Sequence, residues 1–244
     1  MTKRIMALAT AAAITALLAG CGGGGGGNDN GSGGDTLNTA QLQGRWATAA
    51  GAAKAYTAVV LPAAANTADA WLLAQDASRL VKLTVAGDGS AQGRAYALGQ
   101  GGSQAVSGQV TAALSASPKT FTVSDTVSGA TQFAQVDALS TPAAQADAAG
   151  TWSATTGGQA HTVRWTVDAA GALAGNSTTG CTYAGQVTAK AGASAYGVQV
   201  SESCPDGAKT VFGGVATLNA AKSGMTVAVA SADAAQGAAL FFAK

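Results

Sequence analysis

Residues 81–93 read VKLTVAGDGSAQG. In an extended chain Val81, Leu83 and Val85 share one face while Lys82 and Thr84 take the other, because successive side chains of a strand point to opposite sides. Gly87-Asp88-Gly89 then ends the alternation with turn residues. The pattern returns at 163–175, VRWTVDAAGALAG, where Val163, Trp165 and Val167 alternate with Arg164, Thr166 and Asp168 before the turn Asp168-Ala169-Ala170-Gly171. From residue 44 onward Gly, Asp, Asn and Ser punctuate the chain roughly every 8–12 residues, the spacing of an all-β protein.

Further parallels extend the likeness. SGQVTAALSASPKTFTVSDT at 107–126 answers AGQVTAKAGASAYGVQVSES at 184–203, and Gly44-Arg45-Trp46 answers Gly150-Thr151-Trp152. The expected fold is therefore two tandem antiparallel β-barrel or sandwich lobes, 44–140 and 150–244, joined by a Pro/Ala-rich link at 141–149. A single larger barrel is the alternative. In the second lobe strands are expected near 151–156, 160–168, 172–178, 181–189, 195–202, 208–217, 224–231 and 237–243, with helix as a competing reading for 143–149. Eight short strands suit a closed barrel, which leaves no unpaired edge. One likeness breaks the order: 56–74, YTAVVLPAAANTADAWLLA, resembles 225–243, MTVAVASADAAQGAALFFA, yet one lies near the start of its lobe and the other at the end.

The first residues carry a different message. Lys3 and Arg4 precede an Ala/Leu/Ile-rich stretch from Ile5 to Leu18, too short for the roughly 20 residues that span a bilayer but suited to an export signal. Leu18-Ala19-Gly20-Cys21 resembles the lipobox of bacterial lipoproteins. That resemblance implies a signal peptide over 1–20, a diacylglyceryl thioether and acylation on Cys21, and, with Gly22 rather than Asp next, an outer-membrane lipoprotein facing the periplasm or the exterior. Residues 21–43 then read as a disordered Gly-rich tether, since Gly, Asn, Ser and Asp bury too little apolar surface to offset chain entropy. Ordinary signal cleavage, leaving a free thiol, is the alternative.

With Cys21 assigned to lipid, Cys181 and Cys204 remain as an even pair in an exported chain, and a disulfide between them is expected. A metal site there lacks further ligands nearby in sequence, and no metal or other cofactor is implied. Removal of 1–20 leaves 11 basic against 12 acidic residues, without the clustered cations that a nucleic-acid partner requires. His161 is the one histidine and Glu202 the one glutamate. Acid–base catalysis would have to assemble His161 with Ser153 or Asp168, and no Gly-x-Ser-x-Gly or His-Glu-x-x-His motif supports it.

Gly-x-Trp at the head of each lobe resembles the first strand of lipocalin-like barrels, which implies a tryptophan across each barrel floor. Together with the lipobox, the Gly-rich tether, the Gly-Cys-x-Tyr-x-Gly strand at 180–185 and the later Cys204, it resembles a group of proteobacterial lipoproteins of unassigned activity. The expected role is a lipid-anchored envelope protein, not an enzyme, with a binding or structural function and a membrane partner through its lipid. The alternatives are a carrier holding a small apolar ligand near Trp165, Tyr183, Tyr196 and Phe212, and a surface receptor for a host or partner protein.

Overall fold

The computed structural model describes residues 36–98, 103–106, 109–126, 129–156 and 161–244. Cys21 and residues 22–35 of the expected tether lie outside the described residues, but the end of that segment is not a tether: Thr39–Leu42 form a helical turn that buries Leu42 in the core of the first barrel, so the ordered lobe begins before residue 44.

The chain forms two separate closed barrels rather than one large one. The first is built from β1 (Gly44–Ala47), β2 (Tyr56–Ala63), β3 (Thr67–Ala74), β4 (Arg79–Ala86), β5 (Ser90–Ala97), β7 (Val110–Ala116), β8 (Lys119–Asp125) and β9 (Gly129–Asp137), with short β6 (Ser103–Ala105) added alongside β5. Pairings β1–β9 and β4–β5 both exist, so the sheet returns on itself. The second is β10 (Gly150–Thr156), β11 (His161–Val167), β12 (Ala172–Ser177), β13 (Thr182–Ala189), β14 (Tyr196–Ser203), β15 (Lys209–Leu218), β16 (Gly224–Ser231) and β17 (Gly237–Ala243), antiparallel throughout and closed by Ser153 opposite Ala243. All eight strands expected for this lobe are present within a residue or two.

The repeat is real at the level of hairpins. Leu83 pairs with Gly93 in β4–β5, and Trp165 pairs with Gly175 in β11–β12. At both glycines a Cβ would collide with the opposing carbonyl, of Lys82 or Arg164, so the large side chain on one strand requires a bare residue on the next. These hairpins nevertheless occupy different places. Counting from the Gly-x-Trp strand, β4–β5 are fourth and fifth in their barrel and β11–β12 second and third, so the shared run is displaced by one hairpin.

Each Gly-x-Trp strand follows a single helical turn, η1 (Thr39–Leu42) or α1 (Gln145–Ala148). The Trp46 indole N–H donates to Leu42 O at 2.9 Å and the Trp152 indole N–H to Ala148 O at 2.8 Å. Both rings are wholly buried in their barrel cores. The 143–149 stretch is thus helical in part. Gln145 anchors it by donating to Val187 O and accepting from Ala189 N, both at 2.8 Å.

The hairpin β2–β3 and its out-of-order counterpart β16–β17 meet at the contact between the lobes. Strands β3 and β16 have the same burial sequence, with five consecutive buried residues at the end. One face of each lines its own barrel and the other packs against the neighbouring lobe, which replaces alternation with continuous Ala, Val and Leu. Leu61, Trp71, Leu73, Leu80 and Tyr96 of the first lobe pack with Val215, Ala228 and Ala230 of the second in a third apolar cluster. Gln43 adds donors to Leu139 O at 3.0 Å and Gly192 O at 2.9 Å.

Tyr96 lies so close to Gly237 that a Cβ there would overlap the ring. Gly237→Val is therefore expected to lower stability by about 1–3 kcal/mol in urea unfolding through overpacking. Gly213→Ala, with nothing within 4 Å of the added atom, should change it by less than about 0.5 kcal/mol. Equal effects would show that the lobe contact contributes nothing.

Candidate functional site

The four aromatics singled out in the second lobe come together inside its barrel. Trp165, Tyr196 and Phe212 belong to its buried core, with Tyr183 packed against it. The Trp165 ring lies 4.6 Å from that of Phe242 and 6.1 Å from that of Tyr183. Tyr196 sits at the floor, donating its hydroxyl to Ala144 O at 2.9 Å, and burial followed by the Asp147 charge pushes its pKa up to about 12. Tyr183 donates to Glu202 Oε1 at 2.7 Å, and burial reinforced by that bond drives its pKa upward as well. These rings supply the bulk that an Ala- and Gly-rich barrel otherwise lacks.

Two buried nitrogens, Trp165 Nε1 and His161 Nε2, have no hydrogen-bond partner among the described residues. His161 opens β11, whereas Asp168 follows its far end and accepts from Ala170 N and Ala172 N, both at 2.8 Å, as a turn cap. Ser153, on the outer face of β10, pairs with Arg164. Neither pairing, His161 with Ser153 or His161 with Asp168, is thus assembled.

Cys181 and Cys204 are joined as expected, bridging the ends of β13 and β14 next to the Thr182–Ser203 pair. Their sulfurs and a Glu202 oxygen lie within 4.8 Å of one another. Because the sulfurs are bonded to each other, the group offers one carboxylate and no thiolate for a metal.

Space for a small molecule lies between the barrels. Two convex surfaces that touch along a strip leave a tapering wedge on each side, and hollows flank the apolar contact in this way. One, of about 620 Å³, runs past Asp69, Lys82, Tyr96 and Gln199 and is mainly polar. The other, of about 440 Å³, is mainly apolar, within the size range of ligand sites and at the kind of lobe boundary where they occur. Its walls are the outer faces of β2–β3 and β15–β17: Val59, Trp71 and Leu73 confront Val215, Ala228 and Phe241. Phe241 is 52% exposed, a large apolar side chain left facing the opening. Arg45, projecting outward from β1, closes one end and donates from Nη2 to Leu218 O at 3.4 Å.

Sequence reasoning did not reach this groove, because its residues come from opposite ends of the chain. The signal available was the loss of alternation in ADAWLLA and TVAVAS, which marks strands covered on both faces. No family model, curated protein or solved structure matches this chain.

Proposed function

We propose that the chain is a lipid-anchored protein of the bacterial envelope that binds a small apolar ligand in the groove between its two barrels, without catalysis. The observation that carries the binding part is the apolar hollow of about 440 Å³ with Phe241 exposed at its mouth. Apolar surface held open to water is unfavourable by about 25 cal/mol per Å², and a ligand that covers it recovers that free energy. The lipocalin-like barrels serve here as two rigid walls, while the aromatic core of the second barrel holds its shape. Anchoring rests on the lipobox-like Leu18-Ala19-Gly20-Cys21 behind an export signal, and it would hold the binding protein at a membrane surface.

The test is titration of the mature protein with N-phenyl-1-naphthylamine, whose fluorescence rises in apolar surroundings. Saturable uptake is expected, weakened at least severalfold by Phe241→Ala, a change at an exposed position that leaves both cores intact. Uptake that does not saturate, or that ignores the substitution, removes the groove as the site. Mass spectrometry of the membrane-extracted protein tests the anchor independently: a diacylglyceryl-modified Cys21 is expected, and an unmodified thiol refutes it.

A further inference from the structure

We infer that the ligand of this groove is an anionic amphiphile of medium length, a carboxylate on an alkyl chain of roughly eight carbons, whose head is bound by Arg45. This rests on the binding reading above and adds the chemistry and orientation of the ligand.

The hollow is polarised. At the edge formed by β1 and the end of β15, the Arg45 guanidinium is its one cationic lining group, close to Leu218 and Asn219. The opposite edge, formed by β3 and β17, presents Leu73 and Phe241. The bond from Arg45 to Leu218 O is long, 3.4 Å, and engages one of five N–H donors. Asp137 and Asp147 stand near Arg45 and border another hollow with it, but among the described residues neither forms an ion pair with it. Asp137, paired with Arg45 across β1–β9, accepts from Leu139 N at 2.8 Å, and Asp147 forms an ion pair with Lys222 at 2.8 Å.

A guanidinium beside an apolar wall is well suited to a carboxylate, which it can hold through two parallel N–H bonds, and the low local dielectric strengthens that attraction. A neutral apolar ligand would leave those donors unused. The length follows from the sheet. From β1 to β3 is two strand spacings, about 10 Å, which an extended chain of roughly eight carbons spans.

Displacement of the bound naphthylamine by octanoate and by octanol tests the idea in the mature protein. On the wild type, octanoate should displace the dye at a concentration at least tenfold below that of octanol. Arg45→Gln should abolish that preference, read as the ratio of the octanol to the octanoate concentration at half-displacement so that any change in dye affinity cancels, and Arg45→Lys should retain part of it, with thermal unfolding confirming that both variants are folded. Equal displacement by acid and alcohol on the wild type, or an acid preference that survives Arg45→Gln, overturns the assignment and leaves an apolar groove. Failure of the dye to bind overturns the groove reading and this inference together. Carbon-13 NMR of carboxyl-labelled octanoate gives a readout free of the dye: a saturable shift is expected for wild type and absent for Arg45→Gln.

Discussion

Trp152→Ala is expected to remove about 3–5 kcal/mol of stability, the range for truncating a large buried aromatic whose site cannot collapse. Three losses act together at this position. The ring is wholly buried in the core of the second barrel, so its removal leaves a void on the floor. Its N–H satisfies Ala148 O at 2.8 Å, and α1 depends on that bond for its seat. Lys244 Nζ stands 4.5 Å from the ring centroid, a cation–π contact that holds the C-terminus against the floor. Trp46→Ala should behave alike in the first barrel, where the indole bonds to Leu42 O and Lys119 lies 5.6 Å from the ring. Because an apolar cluster joins the lobes, either variant should unfold the described region in one cooperative step by circular dichroism in urea. Trp152→Phe, which keeps an aromatic ring and loses the N–H, should fall between wild type and alanine. A loss below about 1 kcal/mol for both alanine variants would mean that the floors are not closed by these rings.

Breaking the Cys181–Cys204 bond should destabilise the protein by about 3 kcal/mol, the chain-entropy value for a loop of this length, with a corresponding fall in thermal midpoint on adding a reductant. The residues are 23 apart in sequence and sit at the paired ends of β13 and β14. The ladder between those strands already fixes them in the folded protein, so the bond acts chiefly by restricting the unfolded chain. Cys181→Ala/Cys204→Ala should match the reduced wild type, and the Tyr183–Glu202 hydrogen bond two pairs inward should keep the hairpin end paired. A midpoint that ignores reductant, or a double variant as stable as the oxidised protein, contradicts this account.

The class of fold was legible because alternation is local. Val163, Trp165 and Val167 point into the second barrel and Arg164 and Thr166 away from it, as their spacing requires. The Cys181–Cys204 pair was legible by arithmetic under the expectation that Cys21 is spent on a lipid anchor. Other features were not local. The short helical turns under Trp46 and Trp152 are single turns whose stability comes from an indole bond and a packed floor, so propensity alone does not mark them. The likeness between 56–74 and 225–243 looked like a misplaced repeat; each segment contains one strand, β3 or β16, that ends in five consecutive buried residues at the contact between the lobes. Trp165, Tyr183, Tyr196 and Phe212, read from the sequence as the surroundings of an apolar ligand, instead pack as the bulk of the second barrel's core.

By itself, then, the order of residues determined the strands, the number of lobes and the cysteine bond, since each depends on a period, a turn or a count confined to neighbouring positions. Where the barrels touch, and hence where Arg45 and Phe241 border a common hollow, was decided by tertiary structure alone. Those residues are nearly two hundred positions apart, and only the packing of small Ala228 and Ala230 against Trp71 and Leu61 brings their surfaces close enough to leave a wedge between them.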